Sequence, residues 1–295
     1  MNFGDFSFIA AFLRERSGLI VTPDKTYLIE SRLNPIAREH GLANVDQVIA
    51  KVREDPASPL ARSVVYAMTT NETSFFRDSH PFETLRKTIL PKLMERRTIR
   101  KVIRIWSAAC ATGQEPYSLA MMLKESFGLS DWYINIIATD LTPAVLERAK
   151  EGYYSGFEVQ RGMPIQYLIK YFDQDGDRWR IKQEIRSMIE FRQLDLLRDF
   201  SALGTFDVIL CRNVLIYFDQ PTKSTVLGTL RRQLAADGVL MLGGSESVFG
   251  LCDQYTDIPG LRGVYCQKQD QTWQPNTGGA QKKPAMVPPL RVVAS

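Results

Sequence analysis

No apolar run in the chain approaches the ~20 residues that a bilayer-spanning helix needs, so membrane insertion is not expected. No basic segment leads into an apolar stretch near the start, so a secretory signal is not expected either. Histidine is scarce: His40 and His80 are the only two, and both lie far in sequence from the cysteines. The four cysteines, Cys110, Cys211, Cys252 and Cys266, contain no CxxC pair. That argues against a zinc site, and the expectation is free thiols in a reducing cytoplasm with no metal. The formal charge of +4 is mild and does not demand a nucleic-acid partner. No GxGxxG stretch and no internal repeat occurs, and without a pyrophosphate cradle a dinucleotide enzyme is disfavoured.

What is present is enough for two unequal domains: 295 residues, 44% of them apolar. Residues 1–84 read as short amphipathic helices, among them FSFIAAFLRERSGL with a stop at Gly18, and TPDKTYLIESRLNPIAREHGL with Thr22 as N-cap. Residues 85–98 form a basic linker helix, read either as a solvated face or as a surface for an acidic partner. From Ile99 to Lys268 apolar strands alternate with helices, which indicates a mostly parallel sheet covered on both faces. Between about 152 and 188 the alternation breaks into a small antiparallel insertion, with a turn at Asp175-Gly176. Residues 269–295 are rich in Gln, Gly, Pro and Lys and read as a disordered tail, Trp273 included.

In an open parallel sheet, ligands sit beyond the carboxyl ends of the strands. The first strand runs into SAACATGQEP, where small residues allow close backbone approach and Glu115 opens a helix. Glu115 is also the kind of first-turn acid that a helix dipole favours. The second strand ends at Asp140, suited to a ribose diol or to capping the helix at Pro143. The third is followed by Asp195-Leu196, which can bracket an adenine ring, and the fourth runs into CRNVLIYF. Together these fit a nucleoside without a phosphate chain, such as S-adenosylmethionine.

The chain resembles the chemotaxis receptor methyltransferases, the CheR family, through TTNETSFFRD, WSAACATGQEPYSLAM, ATDLTPAVLERAKEGYY, FDVILCRNVLIYFD and GGSES, in that order. The resemblance spans about residues 5–268. It implies an α/β fold: a Rossmann-like, S-adenosylmethionine-dependent methyltransferase domain with a small inserted antiparallel β-subdomain, preceded by an all-helical N-terminal domain. It implies that the TNxTxFFR segment closes the cofactor site. Asn71, Thr73, Arg77, Glu115, Asp140, Asp195, Leu196, Cys211, Arg212 and Asn213 would then form the cofactor pocket, with Arg77 and Tyr217 at the positions implicated in catalysis. Asp195 stands where some relatives carry Asn, and an acid there cannot donate an amide hydrogen.

The activity so implied is protein-glutamate O-methylation of a chemoreceptor helical bundle by a cytoplasmic monomer, with S-adenosylhomocysteine as product. Lys25, Arg32 and Arg38 would either face that bundle or be solvated, Glu30 and Glu39 diluting the patch. The turn in KYFDQDGDRWRIKQEI is shorter than in relatives that dock a C-terminal receptor peptide, so no such peptide is expected to be needed. Arg77 could otherwise form a surface ion pair with Asp78 or Glu72. Base-amino methylation is disfavoured because CRNVLIYF lacks the Asn/Asp-Pro-Pro-aromatic pattern; a non-catalytic cofactor-sensing adaptor is the other alternative.

Overall fold

The computed structural model describes residues 1–127, 131–270 and 272–273. Four helices come first: α1 (Phe3–Ser17), α2 (Thr26–Glu39), α3 (Val45–Glu54) and α4 (Pro59–Met68). Their starts are set locally. Asn2 accepts from the Asp5 amide, Asn44 from Gln47 and Ser58 from Ala61, each satisfying a donor that the first helical turn leaves free. Thr22 makes no such cap; a short 3₁₀ turn, Pro23–Lys25, leads into α2 instead. The apolar stripes meet in a core of their own around Ile9, Leu13, Ile29, Leu33, Ile49, Val64 and Met68. Each such fully buried side chain contributes roughly 1.5–3 kcal/mol.

After an irregular strip, α5 (His80–Thr84) continues through a π-helical turn (Leu85–Ile89) into α6 (Leu90–Arg96). The basic run here is not merely solvated. Arg97 donates to Asp207 at 2.8 Å and to Asp237 at 2.5 Å, and Arg96 to Asp237 at 2.8 Å.

The large sheet is built from β1 (Val102–Ala108), β2 (Tyr133–Asp140), β6 (Ile189–Gln193), β7 (Phe206–Cys211), β8 (Leu234–Leu242), β9 (Tyr255–Ile258) and β10 (Leu261–Gln267), in the order β6-β2-β1-β7-β8-β10-β9. All neighbours are parallel except β10, which runs antiparallel to β8 and β9. The helices α7 (Gln114–Ser126), α8 (Pro143–Glu151) and α12 (Gln220–Arg232) connect the strands. One core, with Ile105, Tyr117, Met121 and Val208, covers one face; the other, with Trp106, Ile209, Leu227 and Leu240, covers the opposite face. Strands buried on both sides explain why the sequence shows near-continuous apolar runs rather than alternation. The chain leaves β1 in one direction for β2 and β6, and returns on its other side for β7 and β8. The order therefore reverses between β1 and β7.

The insertion is a three-stranded antiparallel sheet, β3-β5-β4, of β3 (Tyr153–Ser155), β4 (Phe172–Asp175) and β5 (Arg178–Ile181), with the short helices α9 (Gly156–Gln160), α10 (Ile165–Tyr171) and α11 (Gln183–Arg186) around it. The β4–β5 register pairs Asp175 with Arg178, so the two-residue turn is Gly176-Asp177, one position later than the sequence expectation. Gly176 supplies the positive φ that such turns require. The YLIK portion of the expected hairpin is helical.

Residues 271 and 274–295 of the expected tail lie outside the described residues. Trp273 is buried: its indole N–H donates to the Asp237 carbonyl at 3.1 Å, and the Lys92 ammonium lies 4.7 Å from its ring centre. No helix among the described residues is long and apolar enough to cross a membrane.

Candidate active site

The carboxyl ends of β1, β2, β6 and β7 open onto one cleft enclosing about 1000 Å³, part of it open to solvent. Its floor comes from the sheet. Its roof is the strip between α4 and α5, residues 69–79, together with Ser17 and Leu19 from the end of α1. Asn71, Thr73, Arg77, Glu115, Asp140, Asp195, Leu196, Arg212, Asn213 and Tyr217 all line it. Cys211 does not: it is wholly buried as the last residue of β7, where burial pushes its thiol pKa well up, and it lies behind the wall.

Aromatic packing carries the strip across the sheet. Phe75 is fully buried, edge-on to Tyr154 at 4.9 Å and to Phe172 at 5.7 Å. Phe76 stacks on Tyr167 at 5.1 Å. These partners belong to the inserted subdomain, which thus supports the strip from beneath. Gly162 is required there: at its φ of 87° a side chain would be strained, and a Cβ would stand 2.2 Å from the Phe75 carbonyl oxygen. The Phe76 amide donates to the Ser118 hydroxyl at 2.9 Å, tying the strip to α7. At its start, Arg32 donates to the carbonyls of Met68 and Thr69 and to the Thr70 hydroxyl. Arg32 is therefore occupied in holding the strip, not free for a partner.

Arg212 joins roof to floor. Its guanidinium donates to Glu115 at 2.9 Å, to Asp78 at 2.8 Å and to the Arg77 carbonyl at 3.0 Å. Glu115 in turn accepts from the Ser107 hydroxyl at 2.8 Å. The Arg212 Nε is buried and without a partner among the described residues. Asp78, read from the sequence only as a partner for Arg77, pairs with Arg212 instead. Arg77 makes no ion pair among the described residues and donates once, to the Glu72 carbonyl at 3.0 Å. Asp78 itself holds a φ of 66°.

Asp140 is not the cap of α8: Thr142 holds that position, without a side-chain cap bond, ahead of Pro143. One Asp140 oxygen accepts from the Ala111 amide at 2.9 Å and the other from the Thr142 amide at 3.0 Å, and a carboxylate oxygen with one bond has capacity for a second. Burial raises the Asp140 pKa from the ordinary aspartate value, the amide bonds partly opposing this. Asp195 accepts from the Leu197 amide at 2.9 Å and is raised by burial too. Around the cleft, Phe76, Asp78, Ser79, Ala109, Ala111 and Asn213 all adopt positive φ without being glycine. Such conformations cost on the order of 1–3 kcal/mol each and concentrate where a wall must be shaped for function.

The tyrosine hydroxyl of Tyr217 makes no hydrogen bond among the described residues, while its backbone carbonyl accepts from the Ile20 amide at 3.0 Å. Sequence reasoning missed Ser17, Leu19, Leu141, Val214 and Phe218 in the lining. Their only signal is adjacency to residues already singled out. Among the described residues, no group of three or more His, Cys, Asp or Glu is arranged to hold a metal ion.

Comparison with known proteins agrees with this architecture. Residues 4–69 match the family model described as CheR methyltransferase, all-alpha domain, and residues 71–264 match CheR methyltransferase, SAM binding domain. Chemotaxis protein methyltransferase Cher2 of Pseudomonas putida is 38% identical over 89% of this chain and 97% of its own length. Chemotaxis protein methyltransferase 1 of Pseudomonas aeruginosa is 40% identical over 88% and 96%. Chemotaxis protein methyltransferase 1 of Vibrio cholerae is 37% identical over 85% and 92%.

Proposed function

The chain belongs to the CheR methyltransferase family, whose large domain binds S-adenosylmethionine, and from that premise we propose that it methylates glutamate side chains on a chemoreceptor's cytoplasmic helical bundle, giving methyl esters. The observation that carries this reading is the charge of the cleft. Glu72, Glu115, Asp140 and Asp195 line it against two arginines, and one of these, Arg212, is already neutralised by Glu115 and Asp78. Such a wall suits a cationic sulfonium nucleoside and repels a polyphosphate.

The residues fit that cofactor. Asp140 would accept from the ribose hydroxyls through its remaining lone pairs. Leu141, Leu196 and Val214 supply apolar walls for the adenine, with Asp195 at its polar edge. Asn71, Thr73 and Arg77 of the strip would close over the remainder. When bound, S-adenosylmethionine supplies an electrophilic methyl group on sulfur.

The protein's task is then alignment and exclusion of water. A glutamate side chain, with a reference pKa of about 4.3, is already an anion at neutral pH, so no general base is needed. Arg77 has the donors to hold a carboxylate in a planar grip, since only one of its bonds is spent. Tyr217 can orient the incoming oxygen through its uncommitted hydroxyl. Positioning of this kind is worth roughly 7 kcal/mol or more.

We propose further that the enzyme acts as a cytoplasmic monomer and needs no C-terminal receptor peptide; micromolar binding of such a peptide in calorimetry would overturn the latter. The central test is transfer of labelled methyl to a receptor fragment, with mass spectrometry of the product. The expected result is base-labile label on glutamates, strongly reduced by Arg77→Ala and by Tyr217→Phe. Cofactor binding with no label on any receptor fragment would favour the adaptor reading.

A further inference from the structure

Glu246, in the GGSES stretch after β8, does not line the cleft, yet its carboxylate gathers five backbone amides. One oxygen accepts from Leu215 at 2.8 Å, Val214 at 3.0 Å and Ile216 at 3.3 Å. The other accepts from Asn213 and from Gly243, both at 2.7 Å. Residues 215–217 form a single 3₁₀ turn, whose leading amides would otherwise have no acceptor. An anion at that position is favoured by the same partial charges that draw anions to helix starts. Here the anion comes from a different loop, about one strand and one helix away in sequence.

Two further features fit this arrangement. Gly243 leaves the space it needs: a Cβ there would stand 2.6 Å from the Glu246 carboxylate and 3.0 Å from the Asn213 amide nitrogen. Asn213 holds a φ of 59°, a conformation that needs outside support in a non-glycine residue. The turn is thus gripped by Glu246 on one side and by the Ile20 amide, through the Tyr217 carbonyl, on the other.

We propose that Glu246 is a positioning residue: it fixes the 213–217 turn and thereby sets where Asn213 and the Tyr217 hydroxyl stand in the cleft. It touches no reactant itself. The kinetic part of its test rests on the receptor-methylation reading; the exchange part does not.

The variant is Glu246→Gln, which keeps size and shape but replaces one acceptor oxygen with a donor. In the ligand-free protein, amide hydrogen exchange across residues 213–216 is expected to accelerate about 10-fold or more, while β8 stays protected. With receptor fragment, kcat is expected to fall about 30-fold, of the order that a small misplacement costs. In a Tyr217→Phe background the same change is expected to cost less than about 3-fold, because two residues acting through one hydroxyl are not additive. Gly243→Ala, which displaces the carboxylate without removing it, should reproduce the pattern and stands in if Glu246→Gln does not fold. Unchanged exchange in these amides overturns the proposal, as does an equal rate loss in both backgrounds. A wild type that labels no receptor fragment overturns the methylation reading instead, and the exchange result still decides whether Glu246 holds the turn.

Discussion

Two arginines mark opposite ends of the same sheet. Arg97 lies at the amino end of β7 and β8, bonded to Asp207 and Asp237; Arg212 follows the carboxyl end of β7, bonded to Glu115 and Asp78. Both are largely buried and both face two carboxylates. The Arg97 guanidinium makes four hydrogen bonds, all to carboxylate oxygens of the sheet domain. Arg212 keeps a buried Nε without a partner and spends two of its bonds on a strained strip contributed from outside the sheet. Similar chemistry closes one end and leaves the other fitted to a ligand. The amino end is optimised for stability, and the carboxyl end retains strain and unused donors.

The contrast is sharpest in Arg77→Ala. Arg77 makes one bond, to a backbone carbonyl, so its loss should leave the unfolding free energy within about 0.5 kcal/mol. Turnover on a receptor fragment should nevertheless fall about 10³-fold, as for loss of a fixed donor at a reacting centre. Labelled-methyl kinetics and urea unfolding on one sample check both halves; parallel losses would erase the distinction drawn between the two ends.

Arg97→Ala tests the other end. Removing it leaves the buried Asp207 with only the Arg104 amide among the described residues and deprives Asp237 of its principal partner. The expected loss is about 2–3 kcal/mol, below the roughly 3–5 kcal/mol for breaking a fully buried pair, because the group keeps some water. Affinity for S-adenosylhomocysteine at low temperature should not change. A large affinity loss in calorimetry would mean that the two ends are coupled.

Much of this was legible in the sequence, and the reasons it was not everywhere are physical. The apolar runs around Ile105, Ile137 and Ile209 announced strands buried on both faces, and their final residues located the cleft. Glu115 and Asp140 could be chosen because a site at strand ends selects positions as well as residue types, whereas Arg77 and Tyr217 were reached only through the family resemblance. Cys211, carried over from the family motif, is wholly buried as the last residue of β7 and is absent from the cleft's lining. Arg97 looked like one cation among many, since its partners are more than a hundred residues away. Trp273 sat in a stretch of tail-like composition, and composition does not register one indole finding a slot beside Asp237 and Lys92. Glu246 acts on backbone amides of another loop, and no residue pattern advertises that.

Acid should affect the two ends with opposite sign, and this smallest effect separates them best. Asp237 is held down to about 2, chiefly by its hydrogen bond from Arg97 and secondarily by Arg96. Its stabilisation is complete above the unfolded carboxylate value near 3.9 and is lost as pH falls toward 2. Asp140 and Asp195 are raised instead, because burial disfavours their charge. The native state then binds the proton more tightly than the unfolded one. These two groups destabilise the ligand-free fold above their raised values and cease to do so as pH falls through them. Cofactor affinity runs the other way: if hydroxyls donate to an ionised Asp140, binding weakens as pH falls through its raised pKa, by at most about tenfold per pH unit. Asp140→Asn should lower S-adenosylhomocysteine affinity about tenfold at neutral pH and flatten that dependence. A wild-type profile between pH 4 and 8 that is already flat would show that Asp140 does not bear the ribose hydroxyls, and the assignment of the ligand end of the sheet would fall back on the Arg212 bridge alone.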